Sequence, residues 1–139
     1  MRKTATLIVL TLSLVLSLAA CGGAGKAAVP SATINVALTE FKFMPDTFTV
    51  PAGQQITLNA KNNGTVVHNF VIMKLGASAS TPWSDANVPN VYWQLQLEPG
   101  ASQSTTFTAP STPGDYQVVC STPGHLEAGM TANLTVVVP

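Results

Sequence analysis

Charge is scarce in this chain. Only 9 % of the 139 residues are charged, and arginine occurs once, at Arg2. Beyond residue 20, four lysines stand against six acidic residues, a balance of about −2. Phosphate recognition needs clustered Lys and Arg, so nucleic acid is excluded as a partner. Strong electrostatic steering is excluded with it. Histidine occurs twice, cysteine twice and methionine four times. That leaves no His-rich or Met-rich tract, and no histidine to spare for a Ser-His-Asp set. Long apolar runs are missing too. The stretch from Leu7 to Leu18 is too short for a membrane span.

That stretch has another use. Arg2 and Lys3 precede it, and Leu18-Ala19-Ala20-Cys21 follows it. A positive start, an apolar middle and small residues at the end make an export signal. The cysteine just after them resembles the bacterial lipoprotein pattern, in which Cys21 is acylated and becomes the first residue of the mature chain. The alternative is an ordinary secretory signal, with Cys21 incidental. Residues 1–20 are thus expected to be a lipoprotein signal peptide. Residues 21–32, rich in Gly, Ala, Ser and Pro, read as a flexible tether. Lipidation at Cys21 would hold the protein at a membrane outside the cytoplasm, on the periplasmic or extracellular face. It would also leave Cys120 as an unpaired thiol in an oxidising compartment, a combination that asks for a metal.

Residues 33–139 read as one all-β domain. Val, Thr, Ile and Phe dominate the apolar positions, and they alternate with polar residues. Ile34, Val36 and Leu38 share a face, as do Phe48 and Val50, then Ile56, Leu58 and Ala60. Phe70 and Ile72, Phe107, then Tyr116, Val118 and Cys120, and finally Leu134, Val136 and Val138 continue the pattern. Turn signals at Asn62-Asn63-Gly64, Glu98-Pro99-Gly100 and Pro113-Gly114-Asp115 separate the runs. About seven to eight short strands at this spacing predict a β-sandwich or barrel. One segment breaks the rhythm. Gly76 to Gln94 is a long insertion between middle strands, carrying Trp83, Tyr92 and Trp93. Its aromatics are expected to cover an open edge of the sandwich; a partner-docking surface is the other use.

The chemistry lies near the C-terminus, in the run from Cys120 to Met130. A thiolate, an imidazole at His125 and a thioether at Met130 follow one another at five-residue steps. His68 supplies a second imidazole. Taken singly, such residues are core filler or polar surface. Together, in an exported β domain, they match a mononuclear copper site with His2Cys in a trigonal plane and a weak axial Met. Thioether is a poor fourth ligand for zinc, and thiolate with imidazole suits an ion alternating between Cu(I) and Cu(II). Cys120 ends a predicted strand, Pro123-Gly124 turns the chain, and Gly129 gives Met130 freedom to approach. His68 begins a neighbouring strand. Met44 and Met73 are left as core or surface residues.

The Cys-x4-His-x4-Met spacing, with Pro123-Gly124 before the histidine and His68-Asn69-Phe70 upstream, resembles the small blue copper proteins of the plastocyanin and azurin family. Within that family it is similar to the auracyanins. Glu40-Phe41-Lys42-Phe43 and Phe48 to Gly53 support the likeness more loosely. The resemblance implies a cupredoxin-like Greek-key sandwich of two sheets, with one copper ion at one end. It implies His68 and His125 as ligands through Nδ1, Cys120 as thiolate and Met130 as the weak axial ligand. It also implies a hydrogen bond from Asn69 across to Ser121. Azurins place three residues between the histidine and the methionine, and a glycine carbonyl before the first histidine as a further contact. Here four residues intervene and Val67 precedes His68, so four-coordination without a close carbonyl is expected.

Residues flanking the cysteine narrow the function. Val119 and Ser121 provide no histidine to wire Cys120 to a second copper, and four protein ligands leave no open position for a substrate. The chain is therefore expected not to be an enzyme. The reading is a membrane-anchored mononuclear blue copper protein that shuttles single electrons between membrane redox complexes and acts as a monomer. The rim of His125, with Pro123 and Leu126 around it, would be the electron port. A copper-binding module for storage, delivery or resistance is the alternative. A sandwich that binds no metal, serving adhesion or structure, is the third.

Overall fold

The computed structural model describes residues 28–139. The expected signal peptide, Cys21 and most of the tether lie outside the described residues. Among the described residues there are nine strands and one short 3₁₀-helix. They are β1 (Thr33–Thr39), β2 (Lys42–Met44), β3 (Thr47–Pro51), β4 (Gln55–Asn62), β5 (His68–Met73), β6 (Val91–Leu97), β7 (Ser102–Thr108), β8 (Gly114–Val119) and β9 (Thr131–Val137), with the helix at Asp85–Asn90 between β5 and β6.

These strands form two sheets, in the orders β2-β1-β4-β7 and β3-β9-β8-β5-β6. The architecture is the expected two-sheet all-β sandwich. β1 runs parallel to β4, and β3 parallel to β9, because the chain passes repeatedly from one sheet to the other. Hydrogen bonding starts slightly before the expected boundary, since Ser31 N–H donates to the Thr49 carbonyl at 2.9 Å.

Alternation places the core. Ile34, Val36 and Leu38 of β1 and Ile56, Leu58 and Ala60 of β4 meet Phe70, Ile72, Tyr116, Val118, Leu134 and Val136 of the facing sheet. Phe70 anchors the centre, with Phe43 and Phe48 each 5.7 Å away, ring centre to ring centre. Burying aromatic side chains of this size contributes about 3–5 kcal/mol each, judged by truncation.

β5 departs from simple alternation. Val71 and Met73, on its outer face, are as buried as Phe70 and Ile72 on its inner face. The insertion explains this. Its Ala79 and Trp83 fold over the outer face of the second sheet and pack with Val71, Met73, Val119 and Leu126. Tyr92 and Trp93 fall on β6, a strand not expected from the sequence. Trp93 stacks on Phe107 at 4.9 Å, and the Tyr92 hydroxyl donates to the Thr108 carbonyl at 2.9 Å. These two contacts close the open side between edge strands β6 and β7.

A polar cross-strand pair ties β8 to β9. Asp115 and Thr135 are directly opposite. The Asp115 carboxylate accepts from the Thr135 hydroxyl at 2.7 Å and from the Asn133 amide at 3.1 Å. Those donors, the hydroxyl first, lower the Asp115 pKa below the usual carboxylate range. A carboxylate whose pKa falls on folding stabilises the fold above its unfolded pKa, about 3.9, and loses that contribution as pH falls through the folded value. Asp115→Asn should therefore be less stable than wild type at pH 6, with the gap closing below about pH 4. Urea unfolding at several pH values measures it; a gap that stays constant down to pH 2 would contradict the assignment.

Candidate metal centre

Three neighbouring strands continue their inward faces into the site. In β5 the inward series is Ile72, Phe70, His68. In β8 it is Tyr116, Val118, Cys120, and in β9 it is Val136, Leu134, Ala132, Met130. Side chains two apart on a strand share a face. The core pattern, carried one step past the strand ends, therefore delivers an imidazole, a thiol and a thioether to one end of the sandwich. Cys120 N–H donates to the Met130 carbonyl at 3.2 Å, which extends the β8–β9 ladder by one pair beyond Val119–Thr131.

The loop between them supplies the fourth side chain. His125 N–H bonds the Thr122 carbonyl at 3.0 Å, and Met130 N–H bonds the His125 carbonyl at 2.9 Å. Gly124 and Gly129 both have positive φ, 82° and 89°, which side-chain-bearing residues adopt rarely. They let the loop wind tightly and turn His125 back over the thiol.

The donors converge. Ring nitrogens Nδ1 of His68 and His125 lie 3.9 and 3.7 Å from the Cys120 sulfur. The candidate donor atoms of these three residues all lie within 4.8 Å of one another. Bonds from a first-row metal to nitrogen and sulfur run about 2.0–2.3 Å. An ion among the three would hold its donors at about such separations, so the residues fit a metal. Among the described residues this is the one cluster of this kind, and Cys120 is a free, buried thiol. All four side chains are buried.

Burial, and after it the His125 charge, lower the His68 pKa, while Glu40 opposes. The neutral imidazole so favoured is the form that binds a metal.

Contacts around the donors join the two ligand-bearing segments. Asn69 N–H points at the Cys120 sulfur at 3.4 Å. The Asn69 side-chain amide donates to the Thr122 hydroxyl at 3.1 Å, and that hydroxyl donates to the Val67 carbonyl at 2.7 Å. The expected partner, Ser121, is thereby corrected to Thr122. The pairing of β5 with β8 shows why. Its last pair on this side is Val71–Val119, and only an unbroken ladder would set Asn69 against Ser121. The strands part there to admit the ligands, and the contact moves one residue on. Ser121 lines a surface groove together with Asn69, Thr122, Trp83 and Gln96.

The rim also differs from expectation. Leu126 is buried under the insertion and does not frame His125. Phe41 does. It is 48 % exposed and stands edge-on to the His125 ring at 5.1 Å, while His125 itself is only 6 % exposed. Phe41 is a non-glycine residue at φ 66°, in the tight turn between β1 and β2. Glu40, next to it, accepts from Thr65 N–H at 2.5 Å and from the Thr65 hydroxyl at 2.9 Å. Those bonds, the backbone one first, lower its pKa to about 2. Neither Phe41 nor Glu40 could be placed beside the histidines from spacing, since a β-turn far along the chain carries them there.

A β-sandwich holding two histidines, one thiol and one thioether at a single end defines a single-copper protein of the cupredoxin kind. Comparison with known proteins agrees. Residues 30–137 match the model of the copper binding proteins of the plastocyanin/azurin family. The chain is 31 % identical over 144 residues to auracyanin-A of Chloroflexus aurantiacus, covering 86 % of this chain and 88 % of that protein. It is 31 % identical to auracyanin-B of the same organism over 125 residues, 77 % of this chain but only 53 % of that longer protein. The copper-resistant cuproprotein CopI of Rubrivivax gelatinosus is 29 % identical, over 83 % of this chain and 72 % of that protein. Among solved structures, reduced auracyanin from Roseiflexus castenholzii superposes with a TM-score of 0.64 at 34 % identity, covering 78 % of this chain and 99 % of that one. The chain belongs to the plastocyanin/azurin family of copper-binding proteins, and its donor set is consistent with one copper ion.

Thr122→Val removes both hydroxyl contacts and leaves the Asn69 amide and the Val67 carbonyl without them. The copper-free protein should lose about 1–3 kcal/mol, and copper affinity should fall about 10- to 100-fold. Denaturant unfolding and competitive copper titration measure these, with Ser121→Ala as the neutral comparison. Equal effects from the two variants would restore Ser121 as the partner.

Proposed function

We propose that this protein is a one-electron carrier of the blue copper type. One observation carries the reading most directly: both histidines of the chain and the buried thiol meet in one closed site, with Met130 beside them. His68 and His125 would hold the ion through Nδ1, Cys120 as thiolate and Met130 as a weak thioether ligand. Copper held there supplies one-electron chemistry between Cu(I) and Cu(II). The protein's own part is positional. The sheet fixes His68, Cys120 and Met130, which limits rearrangement between the two oxidation states. The Asn69 N–H on the sulfur and the burial of the thiol set the potential. The Val67 carbonyl is engaged by Thr122, which supports four-coordination without a carbonyl ligand. With no open position, the site offers a substrate nothing to bind, and the reading is a carrier without enzymatic activity.

Redox partners meet the exposed rim that Phe41 forms beside His125, and the protein acts as a monomer. Cys21 carries a lipid that holds the domain outside the cytoplasm, close to membrane complexes that give and take electrons. The leader sequence supports this. Expressed in a bacterium, the full chain should fractionate with membranes and Cys21→Ala should not; equal fractionation would remove the anchor.

The similarity to CopI supports a second reading, copper handling in resistance. Copper-loaded protein separates the two. The carrier reading expects an intense thiolate-to-copper absorption in the visible, reversible one-electron voltammetry, and loss of the band in Cys120→Ser even where copper still binds. A colourless protein that holds only Cu(I) would favour copper handling.

A further inference from the structure

One buried side-chain nitrogen or oxygen among the described residues has no hydrogen-bond partner, and it is Nε2 of His68. His68 is fully buried, so bulk solvent does not reach it, and an unpaired polar atom in that position is costly. Its Nδ1 faces the Cys120 sulfur, and a metal held at Nδ1 would leave Nε2 to carry the ring proton.

Glu40 stands beside this nitrogen. A Cβ added to Gly64 would sit 2.5 Å from His68 Nε2 and 2.8 Å from Glu40 Oε1. The two atoms are therefore at most 5.3 Å apart, beside a spot that a side chain at position 64 would fill. Gly64 is not among the glycines with positive φ, so its lack of a side chain is used for space, not for backbone conformation. Two further contacts keep the carboxylate in place. Thr65 donates both its N–H and its hydroxyl to Oε1. Buried Asn62 holds the intervening loop, accepting from Gly64 N–H at 2.8 Å and donating to the Val66 and Leu97 carbonyls at 2.8 and 3.0 Å. A carboxylate has about four acceptor positions, and Thr65 fills two of them. The terminal torsion of a glutamate is broad and soft, so a turn of the carboxylate about its Thr65 bonds would bring an oxygen toward Nε2–H.

We propose that Glu40 is the positioning residue of His68, accepting its Nε2–H and thereby holding Nδ1 free and aimed at the metal. This rests on the reading of His68 as a copper ligand through Nδ1. A metal-bound histidine whose other N–H is given to a carboxylate is locked in one tautomer and is the more basic for it. Extra negative charge at that position favours Cu(II) over Cu(I). Glu40 thus lowers the potential of the site without touching the ion, and Gly64 is the gap through which it acts.

The test uses the full copper-loaded protein. Nitrogen-15 NMR of the reduced form should show the His68 Nε2–H as a downfield, slowly exchanging proton that moves in Glu40→Gln. Voltammetry should show Glu40→Gln lowering the Cu(II) to Cu(I) affinity ratio about tenfold, an upward shift of about 59 mV for one electron. Asp115→Asn removes a carboxylate from the exposed β8–β9 pair and should leave the potential where it was. Gly64→Ala, which pushes ring and carboxylate apart, should reproduce the shift of Glu40→Gln. Rapid solvent exchange of the Nε2–H in the wild-type protein would overturn the proposal even if neither variant folds. So would a Glu40→Gln potential no different from that of Asp115→Asn. A copper-loaded wild type without the visible band would instead remove the ligand reading on which this one stands.

Discussion

The two-residue period of three adjacent strands is the constraint on which the rest of this structure depends. β5, β8 and β9 each present alternate residues to the core, and none of them breaks step as it leaves the sheet. The next inward position after Phe70 is His68, after Val118 it is Cys120, and before Ala132 it is Met130. Packing and metal chemistry therefore obey a single pattern. Slipping any of the three strands by one residue would turn its donor outward and its whole apolar face with it. The hydrophobic core thus guards the geometry of the donors, because it penalises the same error.

Where the strands stop pairing matters as much as where they pair. β5 and β8 remain joined at Val71–Val119 and separate beyond it. Space for His68, Cys120 and His125 opens in that fork, and Thr122 with Asn69 and Val67 bridges it from the outside. The insertion after β5 supports the same region from behind. It buries the outer face of β5 under Trp83 and Ala79, so the strand that carries His68 is covered on both sides.

Most of the centre was legible in the sequence because it is local. Cys120, His125 and Met130 lie on one short loop, their spacing survives in the written chain, and His68 is the sole imidazole left to complete the set. The all-β architecture followed from alternation for the same reason. What was not legible arises from contacts between distant segments. Thr122 replaces Ser121 because a ladder ends early. Leu126 is hidden because the insertion folds over it, and β6 was read as part of that insertion because Pro and Asn precede it. β2 is three residues long, too short for alternation to be seen. Glu40 and Phe41 meet the two histidines only through the turn that joins β1 to β2. No periodicity encodes such a meeting.

That turn has a further consequence. The ring that stands over His125 comes from Phe41, some eighty positions earlier in the chain than the donors of the loop. Three of the four donors are written near the C-terminus, while the ring over His125 is written near the start of the domain. The two can change independently. On the proposed carrier reading, a substitution at position 41 would alter who is met and leave the donors in place, and a change of spacing in the loop would do the reverse. On that reading, one centre could be redirected to other counterparts by varying a single hairpin.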